Sequence, residues 1–354
     1  MGIFNIFTQK IGIDLGTSNT LVYVSNKGII VNEPSVAAVN LNSNEVCAVG
    51  ETAKAMLDRT PKNISAIRPL QNGVIADFEI TRAMIKYFIN KAINKKFIKS
   101  NVVICVPVGV TSIERRAVEE VAYDAGAKKV KLVEEPMAAA IGAGLNVEQP
   151  IGNMIIDIGG GTTEIAVISL GGIVVSDSLR IAGDDMDINI KDYIKLKYKM
   201  EIGLVTSEKI KMVIGNASKK YYSMDHKNNK KENHEDGNGE NTKVEVDAPE
   251  EMQIRGRDIV SGLPLNITIT SDEIREAIIE TVNSIVNAIK RVLEKTPPEL
   301  SSDIYSNGIF LTGGGALLKG LDIYIEKETG LKVFIADNPL NSVALGAGKI
   351  CESL

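Results

Sequence analysis

The chain has little of what most catalytic chemistry uses. Of its 354 residues only two are histidines, His226 and His234, and both lie in one polar stretch. No histidine remains elsewhere for a catalytic triad or a His-x-x-x-His zinc site. The two histidines read either as a metal pair or as part of a solvated loop, and composition favours the loop. The three cysteines, Cys47, Cys105 and Cys351, are odd in number and form no Cys-x-x-Cys. That usage predicts a reduced, cytoplasmic setting. A net charge of −5 lacks the basic excess of a nucleic-acid binder, so no nucleic acid is expected as partner. No apolar run reaches the length that spans a bilayer. The N-terminus has neither a long hydrophobic region nor a cleavage site, so no secretory leader is expected. Met1-Gly2 is followed by Ile6 where myristoylation needs Ser or Thr.

Two nucleotide signatures are absent as well. A Walker A loop needs Gly-x-x-x-x-Gly-Lys-[Ser/Thr], but Gly348-Lys349 is followed by Ile350 and the first glycine position holds Val343. The dinucleotide fingerprint also fails: Gly142-Ala143-Gly144 leads to Val147, and Gly159-Gly160-Gly161 leads to Glu164. Chemistry is left to carboxylates, hydroxyls, backbone amides and a metal.

What is present is one turn written twice. Ile11-Gly12-Ile13-Asp14-Leu15-Gly16-Thr17-Ser18-Asn19-Thr20 has a counterpart in Ile155-Ile156-Asp157-Ile158-Gly159-Gly160-Gly161-Thr162-Thr163. Each is an apolar strand, Asp-apolar-Gly, hydroxyls, then a second strand. Glycine lets backbone N–H groups approach phosphate oxygens, and successive amides form an anion-binding concavity. Asp14 and Asp157 would attract Mg²⁺, through waters, because that ion sheds its hydration reluctantly. One copy alone reads equally as an ordinary hairpin; two copies shift the balance towards a phosphate grip. A third cluster, Leu311-Thr312-Gly313-Gly314-Gly315-Ala316-Leu317-Leu318, follows an apolar strand and is expected to open a helix. It either lets a base lie on the backbone or simply packs a helix end on a strand. Glu134-Glu135-Pro136 starts another helix, with proline suited to the first turn. Glu135 is there either to orient or deprotonate a water or to complement the helix dipole.

The remaining organisation is α/β. The length exceeds what one core usually fills, which predicts two lobes. Residues 10–50 read as strands, as do Val102–Val106 and Gly308–Leu311. Thr81 is expected to open a helix, and Thr111-x-x-Glu114 and Thr270-x-x-Glu273 are capping boxes. Residues 219–248 are polar and charge-rich and read as a disordered or mobile loop.

These pieces, in this order, are similar to the actin, Hsp70 and sugar-kinase ATPase fold. Arg59–Ile64, Arg68–Phe78, Glu134–Gly144, Asp157–Glu164 and Leu311–Leu318 together resemble the MreB/Mbl family of bacterial actin homologues, over nearly the whole chain. The polar 219–248 stretch is longer than that pattern. The resemblance implies two duplicated lobes, each with a larger and a smaller subdomain, around a cleft for ATP and Mg²⁺. It implies subdomain IA over 1–32, 67–145 and 320–354, and IB over 33–66. It implies IIA over 146–180 and 250–319, and IIB over 181–249. Gly16, Thr17, Ser18 and Asn19 would hold the phosphates from one side and Gly159, Gly160, Gly161 and Thr162 from the other. Asp14 and Asp157 would surround the magnesium, and Glu135 and Thr162 would position the attacking water. Glu208, Lys209, Ile210 and Lys211 would flank the adenosine, with Gly313, Gly314, Gly315 and Ala316 on its other face. Gly183-Asp184 would cross the cleft.

The same resemblance implies a homopolymer filament at the inner face of the cell membrane. Its partners would be the cell-wall elongation machinery and the membrane adaptors of that machinery. Ile3, Phe4, Ile6 and Phe7, with Phe97-Ile98 among Lys95, Lys96 and Lys99, would touch lipid. Without the resemblance those apolar residues read as packing on the protein's own core. Two rivals share the fold: an Hsp70-like chaperone, which would need a peptide-binding domain after the ATPase lobes, and a small-molecule kinase, which would need a substrate base in the cleft.

Overall fold

Two apolar, β-rich stretches build two sheets on one plan. The computed structural model describes residues 9–57, 59–71, 73–92, 100–218, 220–223, 244–247 and 251–354. The first sheet holds Gln9–Leu15 (β1), Asn19–Val24 (β2), Gly28–Pro34 (β3), Ser100–Val106 (β4) and Ala127–Glu134 (β5), in the order β5-β4-β1-β2-β3. The second holds Asn153–Ile158 (β6), Thr163–Ser169 (β7), Gly172–Leu179 (β8), Ile309–Thr312 (β9) and Val333–Ile335 (β10), in the order β10-β9-β6-β7-β8. In each, the first three strands form an antiparallel meander, the fourth runs parallel to the first, and the fifth parallel to the fourth. The duplication seen in the two turns therefore extends to whole sheets.

Burial follows strand period. Val102 and Ile104 of β4 join Ile11, Ile13, Phe88 and Val121 in one core, under the helices Phe78–Ala92 and Ser112–Asp124. Val103 and Cys105 point to the other face, where they join Ala138, Ala139, Ile155, Ala166 and Ala347. That second core ties the two sheets together through the helices Glu135–Gly142 and Ser342–Ser353. The two helices meet backbone to backbone. A Cβ at Gly346 would lie 1.8 Å from the Ala138 carbonyl oxygen, and one at Gly142 would lie 1.8 Å from that of Ser342. Gly346→Ala is therefore expected to cost about 3 kcal/mol of stability. A lowered denaturant midpoint at unchanged slope would show it; an unchanged midpoint would mean the crossing relaxes freely.

Three expectations need correction. The helix placed at Thr81 begins at Phe78, because Asp77 starts it: Ile80 N–H donates to the Asp77 carboxylate at 3.0 Å, and the Thr81 hydroxyl donates back to the Asp77 carbonyl at 2.6 Å. The Thr312–Leu318 cluster opens only a 3₁₀ turn, Gly314–Leu317; the α-helix waits until Leu321. Gly313 takes a φ of +79°, which interrupts regular helix there. Within the stretch read as disordered, Lys220–Ser223 pairs antiparallel with Val244–Asp247. The apolar–acidic alternation of Val244-Glu245-Val246-Asp247 suits a strand. The rest of 219–248, with both histidines, lies outside the described residues. Both capping boxes are formed as expected.

Backbone proximity divides the chain into two units. One comprises Met1–Asp185, Asn283–Leu317 and Leu331–Leu354 and contains both five-stranded sheets. It also holds the small sheet Ala37–Asn40, Glu45–Val49 and Ile64–Ile67, packed on Ala53. The other comprises Met186–Val282 and Leu318–Gly330. It contains a three-stranded sheet, Met200–Glu201, Glu251–Asp258 and Pro264–Thr270, and the helix Leu204–Ile214.

Candidate functional site

The two repeated turns face each other. Asp14 is the penultimate residue of β1 and Asp157 that of β6, so both carboxylates stand at the carboxyl ends of first strands. That is where open α/β sheets place ligands. The β1–β2 turn carries Gly16, Thr17 and Ser18 into Asn19. The β6–β7 turn closes with Gly159 N–H donating to the Thr162 carbonyl at 2.9 Å. A Cβ on Gly160 would lie 1.9 Å from Ser18 Oγ and 2.7 Å from Ser18 Cβ. One on Gly161 would lie 2.8 Å from Thr17 Oγ1. Only glycine permits this approach of one hairpin to the other.

Neighbouring segments hold both hairpins in place. Ser35 Oγ donates to the Gly16 carbonyl at 2.6 Å, and Ser35 N–H donates to that of Ser18 at 2.9 Å. Gly73 N–H donates to Thr17 Oγ1 at 3.2 Å. Gly183 and Asp184 donate their N–H groups to the carbonyls of Gly159 and Gly160 at 3.2 and 2.7 Å.

Four carboxylates lie close to the hairpins: Asp157, Glu135 and Glu164 are buried, and Asp14 is half-buried. Burial, and then the charge of Asp157, pushes Asp14 up to about 8. Burial pushes Asp157 up to about 6, partly offset by the Thr312 hydroxyl, which donates to it at 3.0 Å. Glu135 is held well above the usual carboxylate range by burial and then by Glu164, Asp14 and Asp157. Glu164 is pushed up to about 7 by burial, against hydrogen bonds from Ser178 Oγ at 2.5 Å and Val108 N–H at 3.0 Å. Such mutual repulsion suits a cation. Among the described residues no group of three or more His, Cys, Asp or Glu side chains forms a direct metal cage. Two carboxylates beside two amide-rich turns fit a hard, hydrated dication that takes further oxygens from its ligand.

This cluster sets a pH dependence. Asp14, Asp157 and Glu164 have folded values of about 8, 6 and 7, above the ordinary 3.8, 3.8 and 4.5. The native chain then binds more protons than the unfolded one between those limits. Their contribution to stability is whole below about pH 4 and is lost as pH rises towards 8. In EDTA the melting temperature is expected to fall from pH 6 to pH 8.5. If a dication binds the cluster, the rise that added Mg²⁺ produces should be larger at pH 8.5 than at pH 6; equal rises would show that the cluster does not sense the cation.

Glu135 is the first residue of its helix, with Pro136 in the first turn, and only 7% of it is exposed. Its neighbour Glu134 turns outward to Arg115 at 2.6 Å. The close helix crossing fixes the backbone that carries Glu135. Gly313–Ala316 lies beside the second hairpin: a Cβ at Gly313 would lie 2.3 Å from the Ile158 carbonyl oxygen. Gly16–Asn19, Gly159–Thr162, Asp14, Asp157, Glu135 and Gly313–Ala316 thus all belong to one unit. Glu208, Lys209, Ile210 and Lys211 lie on the helix Leu204–Ile214 of the other unit. There Lys211 Nζ pairs with Asp187 at 2.9 Å, and Ile210 is wholly buried. Ile3, Phe4, Ile6, Phe7, Phe97 and Ile98 lie outside the described residues. No helix among the described residues is long and apolar enough to cross a membrane.

Two participants escaped the sequence reading. Glu164 was visible only as the end of a motif, yet a lone carboxylate in an otherwise uncharged strand, Thr163–Ser169, is itself a signal. Arg68 bonds Ser18 and Asp184 across long sequence separations, which no local pattern encodes.

Comparison with known proteins places this geometry. A family model described as MreB/Mbl protein matches residues 8–232 and 237–354. The cell shape-determining protein Mbl of Bacillus cereus is 50% identical over 350 residues, covering 99% of this chain and 97% of the relative. The cell shape-determining protein MreB of Escherichia coli K12 is 46% identical over 355 residues, covering 99% and 95%. Crystallised MreB5 of Spiroplasma citri bound to ADP superposes with a TM-score of 0.85 at 40% identity, covering 98% and 96%. The same protein bound to AMPPNP gives 0.84. The paired sheets are those of the actin-like fold, and the chain belongs to the MreB/Mbl family.

Proposed function

We propose that this chain is an ATP-dependent, actin-like filament protein that determines rod cell shape by organising cell-wall elongation at the inner face of the membrane. The observation that carries the reading is the pair of facing glycine hairpins beside half-buried Asp14 and buried Asp157. Relatives named for cell-shape determination, and nucleotide-bound MreB5, support it.

In this reading the amides and hydroxyls of Gly16–Asn19 and Gly159–Thr162 bind the β- and γ-phosphates. Asp14 and Asp157 hold Mg²⁺ largely through its waters. When bound, the ion neutralises charge on the phosphates. Glu135 and Thr162 position the attacking water, and the raised proton affinity of Glu135 suits it to accept a proton once a bound cation lets the carboxyl ionise. Gly313–Ala316 holds the adenosine. Phosphoryl transfer needs positioning and charge stabilisation more than covalent help, which suits a site without histidine or cysteine. ATP favours the state that assembles, and hydrolysis weakens it. The apolar Ile3, Phe4 and Phe7, with Phe97-Ile98 among lysines, give each subunit weak lipid contact; a filament multiplies it.

The test is electron microscopy of purified protein on an anionic lipid monolayer, with Mg²⁺ and ATP. Membrane-bound filaments that need nucleotide are expected. Phosphate transfer to sugars without filaments would point to a kinase of the same fold instead.

A further inference from the structure

The phosphate hairpins carry almost no positive charge of their own. Arg68 brings a cationic side chain to them. Arg68 Nη1 donates to Ser18 Oγ at 3.1 Å and to both oxygens of Asp184, at 3.1 and 3.0 Å. Ser18 Oγ donates in turn to Asp184 Oδ1 at 3.2 Å. Asp184 also hydrogen-bonds the second hairpin through its own N–H, to the Gly160 carbonyl at 2.7 Å. Ser18, Arg68 and Asp184 thus form a closed triangle at the point where the hairpins meet. The triangle is accessible: the Arg68 and Asp184 side chains are 27% and 30% exposed.

An anion seated on Ser18 would meet the Asp184 carboxylate directly, and like charges at that range repel. Arg68 resolves the conflict. Its guanidinium has five N–H donors in a planar fork, and its contacts to Asp184 and Ser18 use one nitrogen, so it can exchange the Asp184 carboxylate for a phosphate and present the fork to that anion. Charge-assisted contacts to phosphate are stronger than those to a neutral hydroxyl. Arg68 is also tied to the hairpin by a short connection. It is followed by Pro69 and by the small ladder Leu70–Gln71 with Val74–Ile75, from which Gly73 N–H reaches Thr17 Oγ1.

We propose that Arg68 is a ligand for the terminal phosphate of a bound nucleoside triphosphate and that Asp184 is the partner it gives up. The inference rests on the nucleotide reading above and sharpens it: Arg68 distinguishes triphosphate from diphosphate. Lysine at the same position would keep the charge but lose the fork.

The test is equilibrium binding of Mg·AMPPNP and Mg·ADP to the parent chain and to Arg68→Gln, Arg68→Lys and Asp184→Asn. Arg68→Gln is expected to weaken AMPPNP roughly 10- to 100-fold and ADP less than about threefold. Arg68→Lys should fall between parent and Arg68→Gln for AMPPNP. Asp184→Asn should bind AMPPNP at least as tightly as the parent, with ADP unchanged. Equal weakening of both nucleotides by Arg68→Gln, or no weakening of either, would overturn the inference and leave the nucleotide reading intact. If the arginine variants do not fold, Asp184→Asn decides: a loss of AMPPNP affinity overturns the inference. A parent chain that binds neither nucleotide would overturn the nucleotide reading and this inference with it.

Discussion

Glu135→Ala is expected to slow ATP hydrolysis by roughly 100-fold or more, because a positioned proton acceptor supplies about that much. Affinity for Mg·AMPPNP should stay within about threefold of the parent, since the proposed mechanism has Glu135 act on the water and not on the phosphate grip. The reason lies in how the residue is held. Its helix is locked by the Gly142–Ser342 and Gly346–Ala138 approaches, so the carboxylate has little freedom to miss its target. Burial and three neighbouring carboxylates raise its proton affinity, which suits a base. Single-turnover hydrolysis at matched polymer content is the measurement. Equal rates in mutant and parent would remove Glu135 from the mechanism.

Gly160→Val is expected to have a larger effect, on binding itself. The new Cβ would lie 2.7 Å from Ser18 Cβ, an atom that no side-chain rotation can move aside. The hairpins must separate, and the amides that the proposed function has converge on one anion would no longer do so. Nucleotide affinity should fall by roughly 100-fold or more, with filaments lost in parallel. The cores of both sheets do not include Gly160, so secondary structure by circular dichroism should be retained. A well-folded Gly160→Val that binds Mg·AMPPNP like the parent would show that the hairpins need not touch.

Much of this site was legible in the sequence for one reason: it is made of local turns. Asp14-Leu15-Gly16 and Asp157-Ile158-Gly159 are contiguous, and a contiguous motif carries its own geometry. The capping boxes at Thr111 and Thr270 were legible on the same ground. What could not be read is contact between distant segments. Nothing near Arg68 announces Asp184, and nothing near Glu164 announces Val108 or Ser178. Boundaries slipped where one side chain decided them. Asp77 moved a helix start back from Thr81, and Gly313 turned an expected helix into a single 3₁₀ turn. The ladder Lys220–Ser223 with Val244–Asp247 was hidden because its strands are short and the residues between them dominate the composition. The family resemblance supplied roles for Glu208–Lys211 that no local chemistry at those positions would have suggested.

The account's central claim is that the two copies of one turn grip a single phosphate chain from opposite sides. A structure of the purified protein with Mg·AMPPNP tests it most directly. The account predicts the phosphates between Gly16–Asn19 and Gly159–Thr162, with the cation near Asp14 and Asp157. Nucleotide bound elsewhere, or phosphates touching only one hairpin, would contradict it.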